Sequence, residues 1–198
     1  MAKIGLFGGS FNPVHKGHLN LAEWIKNTLN LDKVIFIPSG EAPHKSSAEY
    51  ADAESRYEMC RLATESYPYF EVSDFEIKRE GKSYSIYTVK HFKEKYPSDE
   101  LFLMVGSDML LSFDKWFMYK DILKLVTLTA VSREGTDFEL LQKTAQNLKG
   151  YGRVIVVNNQ AFPVSSTKLR KMLKNKEDIS CYLNEKVVKY IMLKKLYL

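Results

Sequence analysis

The sequence predicts an α/β protein whose sheet is mainly parallel and carries helices on both faces. Short apolar runs typical of strands alternate with longer segments at helical spacing along the chain. The central runs are continuously apolar, which indicates strands that are buried on both sides. This alternation predicts strand–helix–strand units with right-handed crossovers, and therefore a doubly wound sheet.

The first half of the chain supplies three strand patterns and three helix patterns. Lys3–Phe7 is a short β-rich run that ends at glycine, and Lys33–Pro38 is a continuous apolar run. Phe70–Ile77 alternates between apolar and polar residues, so we predict a third strand there. Helical spacing covers three segments of this half: Leu19–Asn30, Glu54–Ser66 and Tyr87–Tyr96.

The second half continues the same alternation. Its predicted strands are Leu101–Gly106, Thr127–Arg133 and Arg153–Asn158. Its predicted helices are Lys115–Val126, Asp137–Lys149, Ser165–Asn175 and Asn184–Leu196. The last two helices, from about residue 165, would close a single domain over residues 1–198, since a domain usually has about 100–200 residues.

The composition fits a globular protein and argues against several other classes. Hydrophobic residues make up 45% of the chain, which is enough for a sizeable core. No apolar run approaches the roughly 20 residues that span a bilayer, and the apolar start is too short for a signal peptide. Cys60 and Cys181 fit no zinc pattern and are expected to stay reduced. We therefore expect a cytoplasmic protein without a membrane partner.

The net charge of +5 suits either an anionic ligand or a nucleic acid. A nucleic-acid-binding module without catalysis would concentrate Lys and Arg among aromatic residues. The basic residues are instead spread along the chain, and their densest cluster is Lys168–Lys176. The sequence therefore favours no nucleic-acid partner, and such a module stays a remote alternative.

Unusual residues follow four of the predicted strands. In open parallel sheets, ligands bind at the carboxyl ends of the strands. Because all four groups come at such ends, we expect them to build one site. The groups are Gly8, Gly9, His15 and His18 after the first strand, His44 and Lys45 after the second, Gly106 and Asp108 after the fourth, and Ser165–Arg170 after the last.

His15 and His18 lie one turn apart at the start of a predicted helix, so they face the same side. Gly8 and Gly9 are expected to let the backbone turn tightly and approach a ligand closely. The free N–H groups of a helix start and the two imidazoles would all suit phosphate oxygens. A metal site is a rival interpretation, although only two other histidines are available, and an ordinary polar role is another.

Ser165, Ser166 and Thr167 come directly before or at a predicted helix start, where Ser and Thr commonly serve as N-caps. Arg170 lies one turn further on, where its guanidinium can join the hydroxyls around a phosphate chain. Asp108 can bind ribose hydroxyls or a metal, or it can cap the next helix. The residues alone leave these alternatives open.

Two motifs in the right order reveal a family resemblance. "GGSFNPVHKGH" resembles the G-G-x-F-x-P-x-H-x-G-H signature of the HxGH nucleotidylyltransferases, and "SSTKLR" resembles their second phosphate-binding motif. "EAPHK", "EGKSYSIYTV" and "GSDMLLSFDKW" are similar to segments of the bacterial nicotinate-nucleotide adenylyltransferases in that superfamily. The sequence departs from the pattern at Ala42, Ser85 and Tyr87, where proline, threonine and aspartate are usual. No role is carried over to Tyr87.

The resemblance implies a Rossmann-like fold and a reaction. The adenylyl group of ATP would pass to nicotinate mononucleotide, giving deamido-NAD and pyrophosphate in NAD biosynthesis. Mg²⁺ would arrive with ATP, and no metal would be held by protein ligands alone. ATP and nicotinate mononucleotide are the expected partners, and a homo-oligomer is compatible with the sequence. Another HxGH adenylyltransferase, such as phosphopantetheine adenylyltransferase, is the alternative.

The resemblance also implies roles for individual residues. His18, His15 and Arg170 would be catalytic, with His18 nearest the reacting phosphorus. The ATP-binding residues would be Gly8, Gly9, Ser10, Phe11, His15, His18, Gly106, Asp108, Ser166, Thr167 and Arg170. The mononucleotide-binding residues would be Asn12, His44, Lys45, Tyr84, Ser85 and Trp116. Trp116 would stack on the pyridine ring, or else is an ordinary core tryptophan.

Overall fold

A computed structural model of the chain describes residues 1–40, 50–132, 137–158 and 164–198. Strands and helices alternate over these ranges, as the sequence predicts. The strands are β1 (Lys3–Gly9), β2 (Lys33–Pro38), β3 (Phe70–Val72), β4 (Glu100–Gly106), β5 (Thr127–Ser132) and β6 (Val154–Asn158). The helices are α1 (Lys16–Leu29), α2 (Ala53–Thr64), α3 (Phe75–Lys78), α4 (Ser85–Lys95), α5 (Ser107–Leu111), α6 (Tyr119–Leu125), α7 (Phe138–Leu148), α8 (Ser166–Lys174) and α9 (Glu185–Lys194), with a 3₁₀ turn at Phe113–Lys115.

The strands of the described chain form a six-stranded sheet in the order β3-β2-β1-β4-β5-β6. The pairs β1–β4, β4–β5 and β5–β6 are parallel, and their registers place Leu6 beside Leu103, Leu103 beside Leu128 and Leu128 beside Val154. The strand order reverses between β1 and β4, which makes this the topological switch point of a doubly wound sheet. The predicted fold class is confirmed.

The continuous apolar runs form the buried strands of the sheet. Residues 4–7 of β1 and 34–38 of β2 are all buried, and so are residues 101–105 of β4. A strand with alternating exposure would need a polar residue at every second position. These strands have none, because helices cover both faces of the sheet. The continuous apolar runs therefore predict correctly that these strands are buried inside the protein.

The described chain contains two compact units. Unit 1 comprises 1–8, 24–35 and 84–161, and unit 2 comprises 9–23, 36–83 and 162–198. The loop after β1 and helix α8 belong to unit 2, whereas the segments after β4 belong to unit 1. The expectation of a single domain over the whole chain stays a prediction.

The predicted strand over Phe70–Ile77 is only partly correct. β3 ends at Val72, and α3 begins three residues later at Phe75. The N–H groups of Ile77 and Lys78 both donate to the carbonyl oxygen of Asp74, at 3.0 and 2.9 Å. In a segment this short, the alternation of apolar and polar residues does not distinguish a strand from a single helical turn.

The predicted helix over Lys115–Val126 is also wrong at its start. α6 begins only at Tyr119, after Met118 in the left-handed conformation at φ 55°. A left-handed residue interrupts a helix, but it is usually glycine or asparagine. Methionine gives no such signal, so the predicted helix continued across Met118. α5 was not predicted either.

Candidate active site

Gly8 and Gly9 are the last residues of β1 rather than a turn. The chain changes direction two residues later, at Phe11 with φ 44°, and the peptide bond between Asn12 and Pro13 is cis. The expected tight turn at the glycines is therefore wrong. Gly8 is exposed, and a Cβ added to it would meet no atom within 4 Å. This open space leaves room for a ligand at the carboxyl end of the strand.

His15 and His18 are brought together at the start of α1, as predicted. Their rings stack with centroids 3.7 Å apart and planes inclined by 25°. His15 is 7% exposed and His18 is half-buried. A Cβ on Gly17, between them, would lie 3.0 Å from His15 Nδ1 and would press on that ring. The glycine of the motif thus makes room for the first histidine.

The backbone orients the His18 imidazole. The N–H of His15 donates to Nδ1 of His18 at 3.2 Å. When Nδ1 accepts a hydrogen bond, the proton of the neutral ring sits on Nε2. His18 therefore presents Nε2–H as a hydrogen-bond donor. The edge of Phe11 supports the same ring, with centroids 5.1 Å apart.

Phe11 and Ser10 were both predicted to bind ATP. Phe11 is 2% exposed and packs against Phe36 as well as His18, so its side chain supports the histidine from inside the core. Ser10 is half-buried, and its carbonyl oxygen accepts a hydrogen bond from Arg56. Their contact with ATP stays a prediction.

Asn12 joins several distant segments of unit 2. It is 1% exposed. Its Oδ1 accepts hydrogen bonds from the N–H of Ala51 at 3.1 Å and from the hydroxyl of Tyr197 at 2.6 Å. Its carbonyl oxygen accepts a third from Arg170 Nη1 at 3.0 Å. The structure therefore uses Asn12 to fix the loop, and its predicted contact with the mononucleotide stays a prediction.

The second predicted phosphate motif lies at the start of α8. Ser165 caps the helix, since its hydroxyl oxygen accepts from the N–H of Lys168 at 3.2 Å. Ser166 donates its hydroxyl to the carbonyl oxygen of Pro13 at 3.0 Å, and Thr167 is exposed. With the bond from Arg170 to Asn12, these contacts dock the start of α8 on residues 10–18, which we call the histidine loop. The two motifs, about 150 residues apart in sequence, therefore meet within unit 2.

Arg56 is a buried group that the sequence analysis missed. It is 3% exposed, and its guanidinium donates to the carbonyl oxygens of Ser10 at 2.9 Å, Gly40 at 3.1 Å and Ala51 at 3.1 Å. Burial lowers the pKa of this guanidinium. The sequence contains a signal for its burial. Arg56 is three residues before Met59, and helical spacing places both on the buried face of α2.

Unit 1 contains the described residues predicted for the mononucleotide ring. Ser85 begins α4 after Tyr84, which has extended backbone. The ring of Tyr84 lies 5.0 Å from that of Phe117, and Tyr87 lies 6.4 Å from both. Trp116 is half-buried and packs on Phe113 with centroids 4.9 Å apart. Tyr84, Tyr87 and Phe117 form an aromatic cluster beside the start of α4, and Trp116 directly precedes Phe117 in the chain.

Gly106 and Asp108 follow β4 in the same unit. Gly106 is the last residue of β4 and precedes α5, and its neighbour across the sheet belongs to β5. Asp108 is exposed in the first turn of α5 and makes no side-chain cap. The capping interpretation of Asp108 is therefore wrong, while its contact with ribose stays a prediction. His44 and Lys45 lie outside the described residues.

The described residues contain neither a cluster of metal-ligating side chains nor a helix that could cross a bilayer. Across 1–40, 50–132, 137–158 and 164–198, no group of three or more His, Cys, Asp or Glu side chains is placed to hold a metal ion. In the same ranges, every helix is too short or too polar to cross a bilayer. A metal ion that is already bound to the phosphates of a ligand does not need a full set of ligands from the protein.

The sheet order and the alternation of strands and helices define a doubly wound α/β protein with polar loops after its strands. The sequence profile of the cytidylyltransferase-like family matches residues 6–172. The probable nicotinate-nucleotide adenylyltransferases of Clostridium novyi and Clostridium botulinum (strain Kyoto) are 39% and 37% identical, over 94% and 100% of both chains respectively. The chain therefore belongs to the cytidylyltransferase-like family, and it is a nucleotidyltransferase.

Solved structures support the same fold. Plasmodium falciparum nicotinic acid mononucleotide adenylyltransferase, complexed with NaAD, matches with a TM-score of 0.82 at 18% identity, over 100% of this chain and 98% of that one. The same protein complexed with APC matches with a TM-score of 0.78 over the same shares. At this identity the likeness concerns the fold alone.

Proposed function

We propose that this protein transfers the adenylyl group of ATP to nicotinate mononucleotide, with deamido-NAD and pyrophosphate as products in NAD biosynthesis. The observation that carries the proposal is the stacked pair of His15 and His18, held by the backbone at the start of α1. Relatives at 37–39% identity over nearly the whole chain bear the name of this activity. The resemblance of the motifs and the geometry of the histidines support the same reaction.

The reaction needs no general base. The nucleophile is a phosphate monoester whose second pKa is about 6, so it is mostly dianionic at neutral pH. The protein must instead align two polyanions and stabilise the charge that develops on the α-phosphoryl group and the leaving pyrophosphate. Donor groups suit this task better than a base. His18 supplies one such donor at Nε2, and His15 stacks against it.

The triphosphate is assigned to residues of the histidine loop and α8. His18 lies nearest the α-phosphorus, and His15 contacts the same chain of phosphates. Ser166, Thr167 and Arg170 hold the β- and γ-phosphates, where the first turn of α8 adds backbone N–H groups. The Arg170 guanidinium already docks on Asn12, so it is preorganised before ATP binds. Gly106 and Asp108 are assigned to the ATP ribose.

The mononucleotide ring is assigned to the aromatic cluster of unit 1. Trp116 stacks on the pyridine ring, with Tyr84 beside Phe117 as further aromatic surface. The first N–H groups of α4, at Ser85 and Ile86, have no acceptor within the helix. They suit a carboxylate, and the partial positive charge of the helix start adds to the attraction.

A divalent metal accompanies ATP in nucleotidyltransferases, and we assign Mg²⁺ to this role. Mg²⁺ prefers oxygen ligands and keeps several of its waters. The hydroxyls of Ser166 and Thr167 are oxygen donors that fit a hydrated, phosphate-bound ion. When bound, the ion neutralises part of the triphosphate charge. The free thiols of Cys60 and Cys181 suit a reducing cytoplasm, where we place the reaction.

The test is pyrophosphate release with Mg-ATP and one co-substrate at a time. Nicotinate mononucleotide, nicotinamide mononucleotide and phosphopantetheine are compared by kcat/KM, with the variant His18→Ala as the background for contaminating enzymes. We expect the highest value with nicotinate mononucleotide. A higher value with phosphopantetheine would favour the alternative adenylyltransferase, and release with none of the three would refute the proposed reaction.

A further inference from the structure

Tyr197 reaches the histidine loop from the opposite end of the sequence. It follows α9, and its hydroxyl donates to Oδ1 of Asn12 at 2.6 Å, a contact between residues 185 positions apart. The side chain is half-buried, and the hydroxyl is its polar end. No role for this residue follows from either phosphate motif.

The acceptor of this bond is a central residue of the loop. Asn12 Oδ1 also accepts from the N–H of Ala51, and an amide oxygen has the lone pairs to accept both bonds. Asn12 directly follows Phe11, whose ring supports His18, and directly precedes Pro13, whose carbonyl oxygen accepts from Ser166. The orientation of Asn12 is therefore linked through one residue on each side to the histidine pair and to α8.

The charges around Tyr197 keep its hydroxyl a donor. Burial raises the pKa of Tyr197, and the positive charges of Arg56 and Arg170 lower it by less. The phenol is therefore protonated at neutral pH, and Asn12 accepts from it throughout. The three side chains face the same loop, since Arg56 donates to Ser10 and Arg170 to Asn12.

We propose that Tyr197 is a positioning residue for adenylyl transfer, which holds Asn12 and through it the loop that presents His18. The inference rests on the proposed function. Tyr197 touches no substrate in this role. It sets the orientation of a donor that stabilises the transition state, so its loss acts on turnover more than on substrate binding.

The variant Tyr197→Phe removes one oxygen atom and leaves the ring in place. Tyr190→Phe is the matched control, because Tyr190 lies on α9 and its hydroxyl donates to Ser55 at 3.4 Å, away from the histidine loop. We expect kcat of Tyr197→Phe to fall roughly threefold to tenfold, as for one lost hydrogen bond, with KM for ATP nearly unchanged. The control should keep the kcat of the wild type. Urea unfolding of both variants records their stability.

Two further measurements separate positioning from simple anchoring of the chain. In an Asn12→Ala background, Tyr197→Phe should have no additional effect on kcat, because the bond it removes is already absent. Imidazole ¹⁵N chemical shifts should report the Nε2–H form of His18 in the wild type and a mixture of both neutral forms in Tyr197→Phe. An anchoring role alone would lower stability and leave both kcat and the His18 shifts unchanged, and that result would overturn the inference.

The outcome is distinct from a failure of the proposed function. If the wild type releases no pyrophosphate with nicotinate mononucleotide, the proposed function fails, and the His18 shifts still decide whether Tyr197 positions the loop. If the wild type is active and Tyr197→Phe matches it in kcat and in the His18 shifts, only the positioning role is rejected.

Discussion

The histidine loop of unit 2 and the aromatic cluster of unit 1 are built in opposite ways. The histidine loop is buried and polar, and distant segments hold it through side chains such as Arg56, Arg170 and Tyr197. The aromatic cluster is exposed, with Tyr87 at 40% and Phe117 at 48%, and ring contacts hold it together. One region fixes hydrogen-bond donors, whereas the other offers a surface.

Because the two regions are built differently, we expect them to tolerate different kinds of mutation. A polar network in a buried loop is expensive to leave partly unsatisfied, so single changes there should alter turnover. Exposed aromatic rings contribute through area and stacking, so single changes there should alter affinity or stability by smaller amounts. Four predictions test the contrast.

The largest effect is expected for His18→Ala. Removing one well-placed donor to the charge of the transition state costs roughly 3–4 kcal/mol, or about 10²–10³ in kcat. His91→Ala, on α4, is the control and should keep the wild-type rate. Both are measured by pyrophosphate release, after circular dichroism has shown a native fold. Near wild-type turnover in His18→Ala would remove the histidine pair from the mechanism.

Substrate choice should show the next largest effect. We expect kcat/KM to favour nicotinate over nicotinamide mononucleotide by at least about 10², because two N–H donors left without an anionic acceptor cost about 1–3 kcal/mol each. The N–H groups of Ser85 and Ile86, at the start of α4, are the donors we assign. Since they belong to the backbone, Ser85→Ala should weaken the preference only in part. Equal values of kcat/KM for the two mononucleotides would reject the assigned N–H donors, and the proposed adenylyl transfer would still stand.

Arg170→Ala should weaken the use of ATP more than that of the mononucleotide. A charge-assisted hydrogen bond of this kind contributes about 1.5–3 kcal/mol, so kcat/KM for ATP should fall roughly tenfold or more. Lys171→Ala, exposed on the same helix, is the control and should stay close to the wild type. Steady-state kinetics with each substrate varied in turn decides the matter. An effect confined to the mononucleotide would contradict the assignment.

The smallest effect is expected for Tyr87→Ala in the aromatic cluster. Tyr87 lies 6.4 Å from the rings of Tyr84 and Phe117, and such pairs contribute about 0.5–1.5 kcal/mol to stability. Urea unfolding should show a loss of that order, with kcat unchanged. Lys90→Ala, exposed on the same helix, is the control. A drop of tenfold or more in kcat would show that the two regions do not differ as described.

Much of the fold could be predicted because its signals are local. Lys33–Pro38 was predicted and observed with identical bounds, since a continuous apolar run between polar residues defines a buried strand. The errors fall where local signals are short or missing. Phe70–Ile77 was too short to distinguish a strand from a turn of helix, and Met118 adopts a left-handed conformation without glycine.

The candidate site was predictable to the extent that its motifs are contiguous. The spacing of His15 and His18 is enough to predict that they share one side, because His15 directly precedes α1 and His18 lies in its first turn, and the Ser165 cap of α8 is equally local. The contacts by which Arg56 and Tyr197 hold the histidine loop have no such local signal and form only in the packed structure. Residue periodicity encodes neighbours within a few turns of chain, whereas a contact between residues 185 positions apart exists only after the elements have packed.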